Sequence, residues 1–480
     1  MNIKTYFLGA LAAMALGLTS CNLDLDPNFA KKADGIRENP SELLDGTISK
    51  LWNENLYGRN EYYGADIGTD NVVPSWNTSG RFTNRVNLTS SPANCDLKPY
   101  LGLYQVVESA NFILETAPSF FKDDAQLQDL KGQAYFLRAL ADFKLVKNYG
   151  GVPLVNKVMT NDSEETKAFQ PKNATPEEIY TQVLADLAKA ETMIKNTTDV
   201  QHPTVNAVYA LRTRVYLFIA DEEAGKVNGL TKEQALEEVV KNADKVTGVS
   251  LVPAKDFLNY FNGQNSADET IFEFGVTADN SNGTNNQGNL YLHDGYNAFC
   301  ANPTLLAVFK KGDVRDDFMR KAYHLSSEGD TIKYVFPEKF KEASGVFGLT
   351  APKILRYAEV LLNKAEALAQ LNKTAEAAAI LDQLRAQRFE EGVTPPKATG
   401  TLNEVLTERR KELAFEGFRL FDLRRNHLAT TSQALNSSDG HLMDIASAQA
   451  GSPQFWMPIP VDKVLANPNL QQTHYAVAKH

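Results

Sequence analysis

Three glutamates that recur every four residues near the C-terminus are the first candidates for chemistry. Glu408, Glu412 and Glu416 lie in ERRKELAFEGFRLFDLRR, a spacing that places three carboxylates on one face of a predicted helix. Two carboxylates about 5 to 10 Å apart across a cleft, with pKa values that differ, could hydrolyse a glycosidic bond. A catalytic pair of carboxylates would have to remain accessible and unneutralised.

Arginines surround these glutamates in the sequence. We predict that they neutralise the carboxylates through i,i+3 and i,i+4 pairs or through contacts with neighbouring helices. The arginines are Arg409, Arg410, Arg419, Arg424 and Arg425. Gly417 is interpreted as a helix end. A structural role is therefore favoured over a catalytic one for the three glutamates.

Other patterns typical of enzymes are absent from the sequence. The seven histidines are scattered without H-E-x-x-H spacing, and no G-x-S-x-G, P-loop or G-x-G-x-x-G is present. The HDG at His293 to Gly295 is interpreted as a turn. Cys95 and Cys300 could pair in an oxidising compartment or both stay free, and they are too far apart in sequence for a zinc knuckle. We expect no enzyme activity, no metal and no cofactor.

Two polar, aromatic stretches are better candidates for a binding site. Sugars present apolar C–H faces between hydroxyls, so flat rings beside Asn, Asp or Arg can hold them. GTDNVVPSWNTSGRF supplies Asp70, Asn71, Trp76, Asn77 and Arg81, and NQGNLYLHDGYNAF supplies Asn289, Tyr291, Tyr296 and Asn297. We predict ligand contacts for six of these side chains: Trp76, Asn77, Arg81, Asp70, Tyr291 and Tyr296.

Each of these aromatic side chains has a structural alternative. Trp76 could pack its loop onto the body, and Tyr291 and Tyr296 could close a loop through a hydroxyl hydrogen bond. Trp52 and Trp456 are interpreted as structural. The net charge of −10 argues against a nucleic-acid partner, which requires clustered Lys and Arg.

The N-terminus indicates export and attachment to a membrane. An apolar run from Tyr6 to Leu18 is followed by small residues, which predicts a signal peptide over residues 1–20. Leu18-Thr19-Ser20-Cys21 resembles the bacterial lipobox, which implies that Cys21 becomes the lipidated first residue. The alternative is an ordinary signal peptide with an incidental cysteine. Residues 21–38 are interpreted as a tether, in which Asp24 and Asp26 are similar to signals for the outer cell surface.

Helical segments must position these candidates. In ILRYAEVLLNKAEALAQL an apolar stripe recurs at Ile354, Ala358, Leu361, Ala365 and Leu368, and the following TAEAAAILDQLRAQR predicts a second helix that completes a hairpin. Thr-Pro-Glu-Glu at 175–178 and Thr231 with Gln234 predict two further helix starts. The hairpins resemble tetratricopeptide repeats. We predict an all-α single domain over residues 39–480, with loop-rich regions at about 58–97 and 260–350 that carry a few short strands such as ETIFEFGV.

Several blocks, in order along the chain, resemble the SusD/RagB family of nutrient-binding outer-membrane lipoproteins of Bacteroidetes. These blocks are KGQAYFLRALADFKLVKNYGGVPLV, ATPEEIYTQVLADLAKA, ETIFEF, ILRYAEVLLNKAEAL, ERRKELAFEGFRLFDLRR and MPIPVDKVLANPNLQQ. The resemblance implies a tetratricopeptide-like scaffold and a loop-rich side that holds a nutrient, usually a glycan. It also implies a SusC-like TonB-dependent transporter as partner, and no catalysis.

We therefore predict a lipid-anchored outer-membrane protein that faces the cell exterior and delivers oligosaccharide to such a transporter. Two alternatives remain open at this point. The ligand could be an oligopeptide, in which case fewer aromatic rings should be exposed, or the helical repeat could be an assembly scaffold without a small ligand.

Overall fold

The computed structural model describes residues 41–120, 123–158, 169–262, 268–319, 322–327, 330–342 and 349–475. The predicted signal peptide over residues 1–20, the predicted lipidation site Cys21 and the predicted tether over residues 21–38 lie outside the described residues. Helices dominate the described chain and strands are few and short, as predicted. The fold is therefore built on helix packing, with strands that join loops.

The helices differ widely in length, and the longest belong to the first half of the chain. Their bounds are α1 Ser41–Leu51, α2 Asn60–Gly64, α3 Thr83–Val86, α4 Tyr100–Phe120, α5 Asp124–Tyr149, α6 Pro176–Met193, α7 Val205–Glu222, α8 Lys232–Lys245, α9 Phe257–Asn262, α10 Pro303–Leu306, α11 Tyr357–Gln370, α12 Thr374–Ala386, α13 Leu402–Glu412, α14 Arg419–Arg425 and α15 Val461–Ala466.

Consecutive long helices pack as pairs and form the scaffold. Helix α5 packs on α4 and α6, α7 packs on α8, and α11 packs on α12. The predicted apolar stripe is buried as expected at Ala358, Leu361, Ala365 and Leu368. Ile354 is also buried, but it lies on a strand, because the helix begins only at Tyr357.

Both predicted helix starts are confirmed by their capping geometry. The Thr175 hydroxyl accepts a hydrogen bond from the backbone N–H of Glu178, and the Glu178 carboxylate accepts one from the backbone N–H of Thr175. Thr231 and Gln234 form the same reciprocal box at the start of α8. Each box satisfies two N–H groups that a helix terminus leaves without intrahelical partners.

In the part of the chain that the structure describes, eight strands form four two-stranded antiparallel sheets. The strands are β1 Val72–Pro74, β2 Thr270–Glu273, β3 Phe299–Ala301, β4 Ala322–Ser327, β5 Asp330–Val335, β6 Lys353–Arg356, β7 Thr430–Leu435 and β8 Leu442–Ala448. The pairs are β1 with β3, β2 with β6, β4 with β5, and β7 with β8. The predicted strand in ETIFEFGV is β2, whereas the β7–β8 hairpin was not foreseen.

The β1–β3 pair joins the two loop-rich regions, which are far apart in sequence. Val73 lies opposite Cys300, and Pro74 lies opposite Phe299. Val73 and Cys300 share a small buried apolar cluster with Ile332, Tyr334 and Phe336 at the end of the β4–β5 hairpin. The residues that follow β1 and those that precede β3 are therefore fixed beside one another and on top of this hairpin.

Candidate functional site

The three glutamates near the C-terminus are buried and ionised. Helix α13 ends at Glu412, so Glu416 lies beyond it and Gly417 is not the residue at which this helix stops. The Glu408 and Glu412 side chains are fully buried. Burial alone would raise the pKa of Glu408, but Arg315, Lys411 and Arg385 outweigh it and hold that pKa at about 2.

Apart from Lys411, which pairs with Glu408 on the same helix, the cations that neutralise these glutamates come from distant segments. Arg315 lies 2.7 Å from Glu408 and 3.1 Å from Glu412. Arg356 contacts Glu412 at 2.8 Å and Glu416 at 2.7 Å. The sequence predicted that the neighbouring arginines neutralise the three glutamates. That prediction was wrong, because those arginines form ion pairs with other acids. Arg409 pairs with Asp422, Arg410 and Arg419 pair with Asp70, Arg424 pairs with Glu222, and Arg425 pairs with Glu366.

This cluster of Glu408, Glu412 and Glu416 with Arg315 and Arg356, here called the charged junction, cannot supply a glycosidase pair. General acid catalysis needs a carboxyl group that is protonated near neutral pH and that faces the substrate. At the charged junction the carboxylates are buried and their pKa values are lowered. The junction ties strand β6 and the segment around Arg315 to helix α13.

The second candidate region lies at the end of the β1–β3 pair. The Ser75 N–H donates to the carbonyl of Ala298 at 2.9 Å, which extends the ladder past Pro74. The Ser75 hydroxyl donates to the carbonyl of Asn297. Two residues further on, the Asn77 amide donates to Asn297 Oδ1 at 2.6 Å. Residues 75–77 and 296–298 are therefore held together as one rigid corner.

Trp76 presents its ring to solvent from this corner. The side chain is 45% exposed, although large aromatic residues are usually buried. Two aromatic rings support it edge-on, Tyr334 at 4.7 Å and Phe336 at 5.5 Å between centroids. Both supporting rings are buried in the cluster at the end of the β4–β5 hairpin. The two buried rings therefore hold the indole in place, and its remaining surface is open to solvent.

Arg81 and Tyr296 lie beside this ring-bearing corner. The Arg81 guanidinium sits over the Tyr296 ring, 4.6 Å from its centroid. The Asn77 amide also donates to the carbonyl of Tyr296 at 3.2 Å. Both Arg81 and Tyr296 are half-buried, and Asn77 is exposed. The structure therefore brings together four of the six predicted ligand-binding side chains: Trp76, Asn77, Arg81 and Tyr296.

Asp70 is not part of this group. Its two carboxylate oxygens accept hydrogen bonds from Arg419 at 2.7 and 2.8 Å, and Arg410 lies 3.4 Å away. Burial would raise the pKa of Asp70, but the two arginines lower it below the ordinary value. This carboxylate is already saturated by the protein, so we exclude it from the candidate site.

Tyr291 is a core residue and does not reach the surface. Its side chain is 1% exposed and packs against Tyr63 and Phe415, with centroids 4.8 and 5.1 Å away. Burial raises the pKa of its phenol well above the ordinary value. The predicted alternative, a loop-closing hydrogen bond from the hydroxyl, is not realised in the described chain, because the phenol oxygen has no hydrogen-bond partner there. Tyr291 packs as a core side chain, and we exclude it from the candidate site as well.

His293 belongs to the region but has no signal in the sequence. The HDG segment forms a turn, as interpreted, and the His293 imidazole also stacks on Tyr323 of β4, with 3.4 Å between centroids and 4° between planes. His293 Nδ1 lies 2.9 Å from the Asp294 carboxylate. Tyr323 is thirty residues later in the chain, so only the folded β4–β5 hairpin shows that the two rings meet.

The region carries the groups that carbohydrate binding requires. We define the aromatic face as Trp76, Asn77, Arg81, His293, Tyr296 and Tyr323. It combines the exposed Trp76 indole, the stacked His293 and Tyr323 rings and the Tyr296 ring with the Asn77 amide and the Arg81 guanidinium. Stacking against C–H groups and hydrogen bonds to hydroxyls are the interactions that these groups offer.

The cysteines and the acidic clusters do not form a metal or redox site among the residues that the structure describes. Cys95 is half-buried and Cys300 is buried, and both are free thiols. The alternative of a Cys95–Cys300 disulfide, left open by the sequence, is therefore not realised. No group of three or more His, Cys, Asp or Glu side chains is arranged to hold a metal ion in the described ranges. Among the same residues, no helix is long and apolar enough to cross a bilayer.

Two family models match this chain. The model described as the SusD family matches residues 323–475, and the model described as starch-binding associating with outer membrane matches residues 23–217. Similar curated proteins include SusD-like protein P2 of Formosa agariphila, 25% identical over 89% of this chain and 90% of its own length. SusD-like protein P38 of the same organism is 24% identical over 78% of this chain and 81% of its length.

Solved structures show the same fold. A SusD superfamily protein from Bacteroides thetaiotaomicron superposes with a TM-score of 0.76 at 22% identity, covering 91% of this chain and 99% of that one. A protein from Bacteroides vulgatus described as a putative sugar binding protein gives a TM-score of 0.75 at 24% identity, with 90% and 97% covered. The predicted all-α, tetratricopeptide-like architecture is therefore confirmed.

Proposed function

This chain belongs to the SusD/RagB family, and on that premise we propose that it binds oligosaccharides on the aromatic face and delivers them to a SusC-like TonB-dependent transporter. The observation that carries the proposal is the exposed Trp76 ring, fixed edge-on by Tyr334 and Phe336 beside the Asn77 amide and the Arg81 guanidinium. Ligand binding, with no chemical step, is the activity that these groups support.

The energetics of the corner favour a role in binding. Full burial of an aromatic side chain stabilises a fold by about 2 kcal/mol, and the half-exposed Trp76 indole leaves part of this free energy available to a ligand. A sugar ring stacked on Trp76 would bury the same apolar surface. Because the supporting rings already hold the indole, little side-chain entropy is lost when the ligand binds.

A glycan fits the aromatic face better than an oligopeptide does. An extended peptide is usually recognised through a row of unpaired backbone groups at a sheet edge, or through a groove for a helix. The corner backbone at Ser75 is already paired with Ala298, and four of the six side chains of the aromatic face are ring systems.

The location and the partner are parts of the same proposal. The lipobox-like Leu18 to Cys21 and the family description that mentions the outer membrane support a protein anchored there by lipid on Cys21. Its exterior orientation would expose the aromatic face to extracellular glycans. The transporter partner follows from family membership and is tested by co-purification of this protein from outer membranes.

The experiment that tests ligand class is a panel of neutral and charged oligosaccharides and of oligopeptides, titrated against the chain that begins after Cys21. We expect binding to at least one oligosaccharide and a large loss of affinity in Trp76→Ala. Leu465→Ala, which removes another exposed apolar side chain on helix α15, is the matched control. Binding to peptides alone, or equal glycan affinity in Trp76→Ala and the control, would refute the proposal.

A further inference from the structure

Arg81 differs from the other arginines of the described chain in its partners. Ion pairs with carboxylates are formed by the arginines at 59, 138, 212, 214, 315, 356, 385, 388, 409, 410, 419, 424 and 425. Arg85 is buried and donates to the carbonyls of Gly64 and Gln454. Within the described residues, Arg81 alone is both partly exposed and without a carboxylate partner.

The surroundings of Arg81 leave its donors largely unused. The guanidinium makes one hydrogen bond in the described chain, from Nη1 to the carbonyl of Thr78 at 3.5 Å, which is the outer limit for such a bond. Its other contact is the Tyr296 ring, which attracts the cation but accepts no in-plane hydrogen bond. A guanidinium has five N–H donors in a planar fork that matches a carboxylate or a sulfate.

Two carboxylates of the same loop-rich regions, those of Asp70 and Asp294, form ion pairs with groups other than Arg81. Asp70 is held by Arg419 and Arg410, and the Asp294 carboxylate lies against His293 Nδ1. The side chain of Arg81 is instead held beside Asn77 by their shared contact with Tyr296. A positive charge is thus held on the aromatic face of a protein whose net charge is −10.

We propose that Arg81 is a specificity residue that selects glycans bearing an oxyanion, either a uronate carboxylate or a sulfate ester. This inference rests on the proposed glycan-binding function and adds the charge class of the ligand. The sugar ring stacks on Trp76 while its anionic substituent accepts hydrogen bonds from the guanidinium. Charge-assisted bonds of this kind are stronger than those to a neutral hydroxyl, and a partly exposed site keeps them sensitive to salt.

Matched ligand pairs test this inference directly. Binding is measured for uronate-containing oligosaccharides against the same oligosaccharides after carboxyl reduction, and for sulfated galactan oligosaccharides against their desulfated forms. We expect the anionic member of at least one pair to bind about tenfold more tightly, with an advantage that shrinks as salt rises. The pair that shows the preference distinguishes carboxylate from sulfate.

Variants at Arg81 assign the preference to this residue. In Arg81→Gln the anionic ligand should lose about tenfold in affinity while the neutral member changes by about twofold or less. Arg81→Lys keeps the charge but not the fork and should fall between the two. Lys241→Gln, which removes one positive charge from scaffold helix α8, should change neither affinity.

Three outcomes would overturn the inference. Equal affinity for both members of every pair, or an anionic preference that persists in Arg81→Gln, would refute the role of Arg81 while leaving glycan binding intact. Absence of binding to every glycan, neutral or anionic, would refute the proposed function itself and the inference with it. Thermal unfolding of each variant shows whether a loss of affinity comes from a loss of fold.

Discussion

Glu412 at the charged junction and Trp76 on the aromatic face differ sharply in exposed fraction, 0% against 45%. At the junction, cations from three separate segments surround the Glu412 carboxylate: Arg315, Arg356 and Arg388. On the aromatic face, Trp76 is half exposed and contacts Tyr334 and Phe336 in T-shaped arrangements, and Arg81 has no carboxylate partner in the described chain. The charged groups of the junction are paired with one another, whereas the aromatic face has an exposed ring and hydrogen-bond donors that a ligand could use.

The difference shows how a pattern that resembles catalysis can serve the scaffold. The regular spacing on helix α13 places Glu408 and Glu412 where guanidinium groups from other segments converge. Removing one partner of such a buried ion pair is costly in free energy. The irregular loops after β1 and before β3 are held by short strands against this rigid body. The proposed binding site therefore lies where the local sequence is least regular.

Acidification is expected to have the largest effect. It lowers the free energy of unfolding through buried ion pairs, at the charged junction and at Glu61, and not through the aromatic face. Glu61 and Glu408 have pKa values of about 2, because Lys144 and Lys147 beside Glu61, and Arg315 beside Glu408, outweigh the effect of burial. Since both values lie below the ordinary value of 4.5, this stability is present above pH 4.5 and is lost as the pH falls toward about 2. The loss is about 3 kcal/mol for each group.

Urea denaturation at a series of pH values between about 6 and 2.5 measures this loss. Asp66 and Asp142, whose pKa values burial raises to about 7 and about 8, act in the opposite direction, mainly above about pH 4. The window below about pH 4.5 is therefore left to the carboxylates whose pKa values are lowered, which include Glu412 and Glu416 as well as Glu61 and Glu408. A free energy of unfolding that stays flat from about pH 4.5 down to 2.5 would contradict the description of the charged junction.

Glu412→Gln tests the junction at a single site. The amide keeps the shape of the carboxylate but leaves three buried guanidinium groups without their shared partner, so we expect a loss of about 3 to 5 kcal/mol in the free energy of unfolding. Glu238→Gln on α8, where the carboxylate pairs with the exposed Lys241, is the matched control and should cost about 0.5 kcal/mol or less. Equal losses in the two variants would show that burial of the network contributes nothing special.

Trp76→Ala probes the aromatic face in the opposite sense. Because the indole is half exposed, the free energy of unfolding should fall by about 1 kcal/mol or less, whereas glycan affinity should fall about 30-fold. Calorimetric titration and urea denaturation of the same samples measure the two quantities. A variant that lost stability but bound glycan normally would place Trp76 with the scaffold.

Tyr291→Phe gives the smallest expected effect and marks the boundary between the regions. The Tyr291 hydroxyl is buried without a hydrogen-bond partner in the described chain, so its removal should leave stability unchanged or raise it by up to about 1 kcal/mol. Glycan affinity should not change. Tyr296→Ala, by contrast, should weaken binding, since it removes the ring under Arg81. A clear loss of glycan affinity in Tyr291→Phe would return Tyr291 to the site.

The helical framework could be predicted from the sequence because its signals are local. The stripe from Ala358 to Leu368 and the capping boxes at Thr175 and Thr231 each depend on residues within a few positions of one another. The all-α architecture and the family resemblance follow from such blocks. The predicted start of helix α11 was too early, because Ile354 lies in strand β6 and the helix begins at Tyr357.

The contacts of the charged groups could not be predicted in this way. Glu412 is bound by Arg315, Arg356 and Arg388, none of which lies within a helical turn of it, whereas its sequence neighbour Arg409 reaches Asp422. Pairing between distant segments depends on tertiary packing that no local spacing encodes.

The aromatic face shows the same limit. Trp76, Asn77, Arg81 and Tyr296 were predicted because their residue types suit a sugar, but Asp70 and Tyr291 share those types and are committed to internal contacts. The stack of His293 on Tyr323 depends on the β4–β5 hairpin and was missed. Residue type identified candidates, and only the burial and pairing of each side chain separated them.

The most direct test of the central claim is a crystal structure of the chain beginning after Cys21 with the oligosaccharide that binds most tightly in the panel. We predict a sugar ring stacked on the exposed face of Trp76, within about 4 Å, with hydrogen bonds from Asn77 and Arg81 to its substituents. A ligand bound on the helical scaffold, with Trp76 still open to solvent, would contradict the account.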